Sequence, residues 1–131
     1  MLRRTLTLLM LAVTAPALAE APVPGTWICE YGVRKLSSSE QSSSAWFEIT
    51  LVESGKFHGT GKARAAGSTV PMILRGAWAM DEDGILKLTG VSDVTNRIVP
   101  FRFISDRKGD DQFKRREMKA GAEYKTSCRR K

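Results

Sequence analysis

His58 is the only imidazole of the chain, and Cys29 and Cys128 are its only thiols. A mechanism that needs two imidazoles is therefore excluded, and two cysteines cannot supply a four-ligand zinc site. In strand phase His58 lies opposite Phe57 and points outward. The chain contains no Gly-x-Ser-x-Gly elbow, no P-loop and no spaced set of metal ligands. Asp81, Glu82 and Asp83 invite a calcium reading, but they lack the spacing of an EF-hand and read as a solvated turn before Gly84. The expectation is a protein that is not an enzyme and carries no cofactor or metal.

Two groups of side chains remain. Trp27, Trp46, Trp78, Phe57, Phe101 and Phe103 could line an apolar pocket or fill a small core. Within and beside that set, Tyr31, Phe57, Trp78, Phe101 and Phe103 are the candidate pocket. Arg102, Lys114, Arg116, Lys125 and Arg129 come from three consecutive late segments and form a candidate anion-attracting face; the alternative is a solvated wall. Charge is distributed unevenly. Residues 20–96 carry 7 basic and 9 acidic side chains, whereas residues 97–131 carry 12 and 5.

The first nineteen residues, MLRRTLTLLMLAVTAPALA, open with Arg3 and Arg4, continue through an apolar run and end in Ala17-Leu18-Ala19. That is the pattern of a signal peptide, and its apolar run is too short for a membrane span. The Arg pair leaves open whether export is general or twin-arginine. The expected product is periplasmic or secreted, monomeric and without a transmembrane segment. Export, and the lack of an exposed aromatic platform among the basic residues, disfavour nucleic acid as partner.

Behind an extended lead-in at 20–24, residues 25–131 read as one domain of eight short strands. The predicted strands are Gly25–Val33, Ala45–Val52, Lys56–Ala65, Thr69–Met80, Ile85–Val91, Arg97–Ser105, Gln112–Met118 and Ala122–Arg130. Apolar residues alternate in most of them, as in Phe47, Ile49 and Leu51, or Val99, Phe101 and Phe103. Asp83-Gly84 is the strongest hairpin signal. Gly59 and Gly61 fit close approach or bending at a barrel wall. Residues Ser37, Ser38, Ser39, Ser42, Ser43 and Ser44 make a polar stretch expected to be a mobile loop at the open end, either lid or inserting loop. The fold class is all-β, an eight-stranded antiparallel up-and-down barrel.

In such a barrel the first and last strands are antiparallel neighbours, and Cys29 and Cys128 fall at the same end. Compartment and geometry both favour a disulfide between them; the alternative is two reduced thiols. If Cys29 faces Cys128, the register puts Tyr31 opposite Thr126 and Trp27 opposite Arg130. A guanidinium would then lie over the Trp27 indole at the closed end, unless the Arg-Arg-Lys tail frays.

Gly25-Thr26-Trp27 at the start of the first strand resembles the G-x-W signature of calycin-type barrels, the lipocalins and avidins. GTWICEYG and ITLVESGKFHGTG are similar to the opening strands of avidins. Cys29 stands where an avidin carries a ligand-contacting Asn, so the resemblance implies the fold and not biotin binding. GAWAMDEDGILKLTG and Val99–Phe103 are similar to periplasmic protease inhibitors of the Inh type, also small eight-stranded barrels. The functional expectation is a binding protein that holds a small apolar or amphipathic ligand in the barrel mouth. The alternative is a proteinaceous inhibitor or an envelope-interaction module acting through its surface on an envelope protein or anionic glycolipid.

Overall fold

The computed structural model describes residues 22–37 and 41–131. The expected signal segment and Ser38 and Ser39 lie outside the described residues. Eight strands follow one another: β1 (Gly25–Lys35), β2 (Gln41–Leu51), β3 (Lys56–Ala65), β4 (Ser68–Met80), β5 (Ile85–Val94), β6 (Arg97–Gly109), β7 (Gln112–Lys119) and β8 (Ala122–Arg130). Each pairs antiparallel with the next, and β8 pairs back onto β1, so the sheet closes into a barrel. Side chains alternate across each strand, which puts Trp27, Cys29, Phe47, Ile49, Leu74, Leu88, Phe103 and Phe113 in one buried core. The expected fold and closure are both present.

Cys29 and Cys128 are directly opposed in the β1–β8 ladder and joined by a disulfide. The same ladder opposes Tyr31 to Thr126 and Trp27 to Arg130. Gly59 sits where a strand presses on its neighbour: a Cβ there would lie 2.3 Å from the Glu48 carbonyl oxygen.

The two ends of the barrel differ. At the lower end, where β1 begins and β8 ends, Val23 is buried and accepts a hydrogen bond at 2.9 Å from Trp27 Nε1 on its carbonyl. At the same end of the barrel, the Asp81 carboxylate accepts main-chain hydrogen bonds from Asp83 at 2.9 Å and Ile85 at 3.0 Å. The acidic triplet thus builds the β4–β5 turn, as its sequence implies. At the upper end three hairpins turn through Ala66-Gly67, Thr95-Asn96 and Ala120-Gly121, all with positive φ.

Several strands outrun their predicted limits: β1 reaches Lys35, β5 reaches Val94 and β6 reaches Gly109. The largest departure is the serine stretch. Ser42, Ser43 and Ser44 belong to β2, not to a loop. Ser43 pairs with Val33 on one side and Ala65 on the other, and Ser44 with Gly32 and Arg64. Ladder partners on both flanks satisfy the serine backbones, and this outweighs their weak strand preference. Ser42, Ser43 and Ser44 are therefore barrel wall and not part of a lid, while Ser38 and Ser39 lie outside the described residues.

One seam of the barrel is only partly closed. β6 and β7 pair at Asp106–Lys114, Arg107–Phe113 and Gly109–Gln112, and nowhere above. The main-chain N–H of Arg107 bonds to Gly84, on the β5 side. Alternation then turns the even-numbered main-chain groups of β6 toward β7. Pro100 is one of these, so its missing N–H falls on the unpaired edge and costs no ladder bond.

Candidate functional site

The predicted Trp27–Arg130 contact is present. The guanidinium carbon lies 4.3 Å from the indole centroid. Its Nε bonds Asp111 at 2.9 Å, and its terminal nitrogens reach the carbonyls of Pro22 at 2.7 Å and Asp110 at 3.1 Å. Phe113 meets the edge of the same indole with centroids 4.9 Å apart. The lower end is thus plugged by a cation–aromatic layer.

Inside the barrel, burial changes along the axis. The lower inward-facing side chains, Ile49, Leu51, Phe57, Leu86 and Leu88, are sealed from solvent. Above them Phe47 packs edge-on against Phe101 and Phe103, at 5.6 and 5.5 Å. Of the candidate pocket, Phe57 and Phe103 therefore fill the core. Trp78 lies toward the lower end, donating at 2.7 Å to the Val52 carbonyl. Phe101 and Tyr31 are half-buried at the upper limit of this packing.

Beyond that level Val33, Ala45, Ala63, Val70, Val94 and Val99 face inward, all partly buried, together with the larger Arg97, Glu117 and Tyr124. Ser92 also points inward, between Leu74 and Val99 in the ladders, and its buried Oγ has no hydrogen-bond partner. The inward-facing apolar side chains at the upper end are thus partly exposed above the Phe47, Phe101 and Phe103 layer.

A cleft of about 380 Å³ opens beside the unpaired edge of β6, lined by Arg102, Phe103 and Ile104 from β6 and Arg115, Glu117 and Lys119 from β7. Tyr31, Tyr124 and Thr126, on the inner faces of β1 and β8, also line it. Thr126 Oγ1 donates at 2.7 Å to the Ile104 carbonyl, capping one group of the free edge. Arg115 bonds Asp106 at 2.7 Å and Glu117 at 3.4 Å, which holds its guanidinium above the usual arginine range. Burial, with the Tyr124 phenol adding to it, pushes the Tyr31 phenol above its ordinary pKa, so it stays a neutral donor. Sequence reading missed this cleft. Pro100, in mid-strand, was the signal for a free edge.

On the outer surface, Lys114, Arg116, Lys125 and Arg129 share one face of β7 and β8, with Arg116 directly opposite Lys125. Arg102 does not join them; it lines the cleft instead. Glu123, also outward yet only 3% exposed, lies among Arg34, Arg116 and Lys125. Burial alone would raise its carboxyl pKa. The hydrogen bond from Arg116 and the charges of Arg116, Lys125 and Arg34 outweigh that and hold it below the ordinary value.

The expectation that no aromatic platform lies among these charges is overturned. Trp46 faces outward and is 42% exposed. It shares with Lys114, Arg116 and Lys125 the lining of an outer hollow of about 890 Å³. The phase was readable, since Trp46 alternates with the inward Phe47.

His58 is exposed on β3. Among the described residues no group of three or more His, Cys, Asp and Glu is placed to hold a metal ion. Nor, among them, is any helix long and apolar enough to cross a membrane. The chain is by class a small, closed, disulfide-linked antiparallel β-barrel. Compared with family models, curated proteins and solved structures, it matches none.

Proposed function

We propose that this is an exported, non-enzymatic binding protein that holds a small amphipathic ligand in the upper barrel. The apolar part of the ligand rests against Val70, Val94, Val99 and Phe101, and its polar end turns toward the side cleft. What supports this reading is the gradient of burial. Ile49, Leu51, Phe57, Leu86 and Leu88 are buried below Phe47, with Trp78 and Met80 partly exposed at the lower rim. Val70, Val94 and Val99 above it are all partly exposed, and the orphaned Ser92 hydroxyl lies near them. An unpartnered buried hydroxyl is costly unless something supplies its hydrogen bond. Arg102 and Lys119 at the cleft favour an anionic polar end over a cationic one.

The experiment is native mass spectrometry of protein purified gently from its own host. A stoichiometric small molecule is expected on the wild type and absent from Val94→Trp, which fills the mouth. If wild-type protein carries nothing and also fails to bind the anionic amphiphile anilinonaphthalene sulfonate, the reading is wrong.

A further inference from the structure

The outer hollow lies on the outside of the barrel wall, where Trp46, Lys114, Arg116 and Lys125 point away from the interior. It meets the side cleft at Tyr31, Arg115 and Thr126. It is floored by Glu30–Gly32 of β1, Ser44–Trp46 of β2, Lys114–Arg116 of β7 and Lys125–Ser127 of β8. The ladders arrange the outward side chains in two rows. One runs Trp46, Glu30, Ser127, Lys114, and the next runs Ser44, Gly32, Lys125, Arg116. Gly32 has no side chain, so the second row dips at its centre.

We propose that this hollow binds an acidic oligosaccharide chain. An exposed indole at one end offers a flat apolar surface on which the C–H face of a pyranose can pack. Lys108, Lys114, Arg116 and Lys125 line it beside Arg115, which is already paired with Asp106 and Glu117, and the carboxylates in the lining are Glu30 and Asp106. Glu123 anchors Arg116 and Lys125 at the rim, so part of their ordering entropy is already spent before a ligand arrives.

Glu30 separates the candidate ligands. It stands between Trp46 and Ser127, in the middle of the first row. A carboxylate there, with the hydroxyls of Ser44 and Ser127 nearby, accepts hydrogen bonds from sugar hydroxyls. The same carboxylate repels closely spaced phosphates, which disfavours a nucleic acid strand despite the aromatic platform. A sugar chain with acid groups spaced along it meets both demands: hydroxyls at Glu30 and anions at Lys114, Arg116 and Lys125.

The test titrates isotope-labelled protein, disulfide intact, with a heparin-derived hexasaccharide while following the indole N–H signals. Trp27 and Trp78 donate to the Val23 and Val52 carbonyls, so their signals serve as internal references. A saturable shift of the Trp46 signal is expected, with none from the neutral maltohexaose. Trp46→Ala and Lys114→Glu each weaken binding roughly tenfold, the scale of one lost stacking contact. Both side chains are exposed, and unmoved reference signals show that the fold is kept. Val94→Trp, which blocks the mouth, leaves the titration unchanged, so this proposal and the proposed function fail separately. The proposal is overturned if oligothymidylate of equal length or phosphatidylglycerol vesicles bind as well as the hexasaccharide. It is equally overturned if the hexasaccharide leaves Trp46 unmoved.

Discussion

The Arg130 guanidinium is shared among an indole face, the Asp111 carboxylate and main-chain carbonyls of the lead-in and the β6–β7 turn. One side chain thus ties three segments together at the end where Trp27 closes the core. Its position was readable because the two cysteines, once opposed, fix the register of every residue around them. Its extra partners were not readable, since they depend on where the lead-in and the β6–β7 turn come to rest. Arg130→Ala should lower stability by about 2 kcal/mol, combining the cation–π contact with lost charge-assisted hydrogen bonds. Arg130→Lys should restore less than half of that, because an ammonium lacks the planar fork that serves several acceptors at once. Urea unfolding of the three proteins decides it; equal stability of the Lys variant and wild type would mean that charge alone matters.

At the scale of elements, the upper hairpins follow one rule with one exception. Two of the three turns place Gly second, as Ala66-Gly67 and Ala120-Gly121 do, whereas the third is Thr95-Asn96. Thr95 sits at φ 52°, a conformation that a β-branched side chain adopts only under strain. Thr95→Asn should therefore raise stability by about 1 kcal/mol, since Asn tolerates the left-handed region. A thermal melt that is unchanged or lowered by the substitution would falsify this. Strand order and most strand centres were legible from alternation. The serines of β2 were misread because composition describes side chains, whereas the β1 and β3 ladders satisfy backbones. The β6–β7 opening was missed although Pro100 pointed to it: proline shows that one edge lacks a partner, but not how far the gap extends.

For the whole molecule, the two seams beside β8 and β7 behave differently. The β1–β8 ladder runs from Trp27 to Lys35 and carries the disulfide, whereas the β6–β7 ladder stops above Asp106–Lys114. The covalent link lies in the sealed lower half, and the openings that the proposed ligand would use lie in the upper half. This division separates what holds the barrel shut from what leaves it accessible. The bond spans 99 residues of sequence, so in the chain-entropy account it removes much of the freedom of the unfolded state. Replacing both cysteines, as Cys29→Ala with Cys128→Ala, avoids leaving a buried polar group and should cost about 4 kcal/mol in urea unfolding. A loss below about 1 kcal/mol would show that strand pairing alone closes the ring and that the bond adds little. Because the bond constrains mainly the unfolded chain, the folded remnant of the variant should keep the same order of amide exchange. Ile98 and Arg102, on the unpaired edge of β6, should exchange before the β1–β8 amides in both proteins. An inverted order in the variant would place the rigidity of the β1–β8 seam in the disulfide rather than in its ladder.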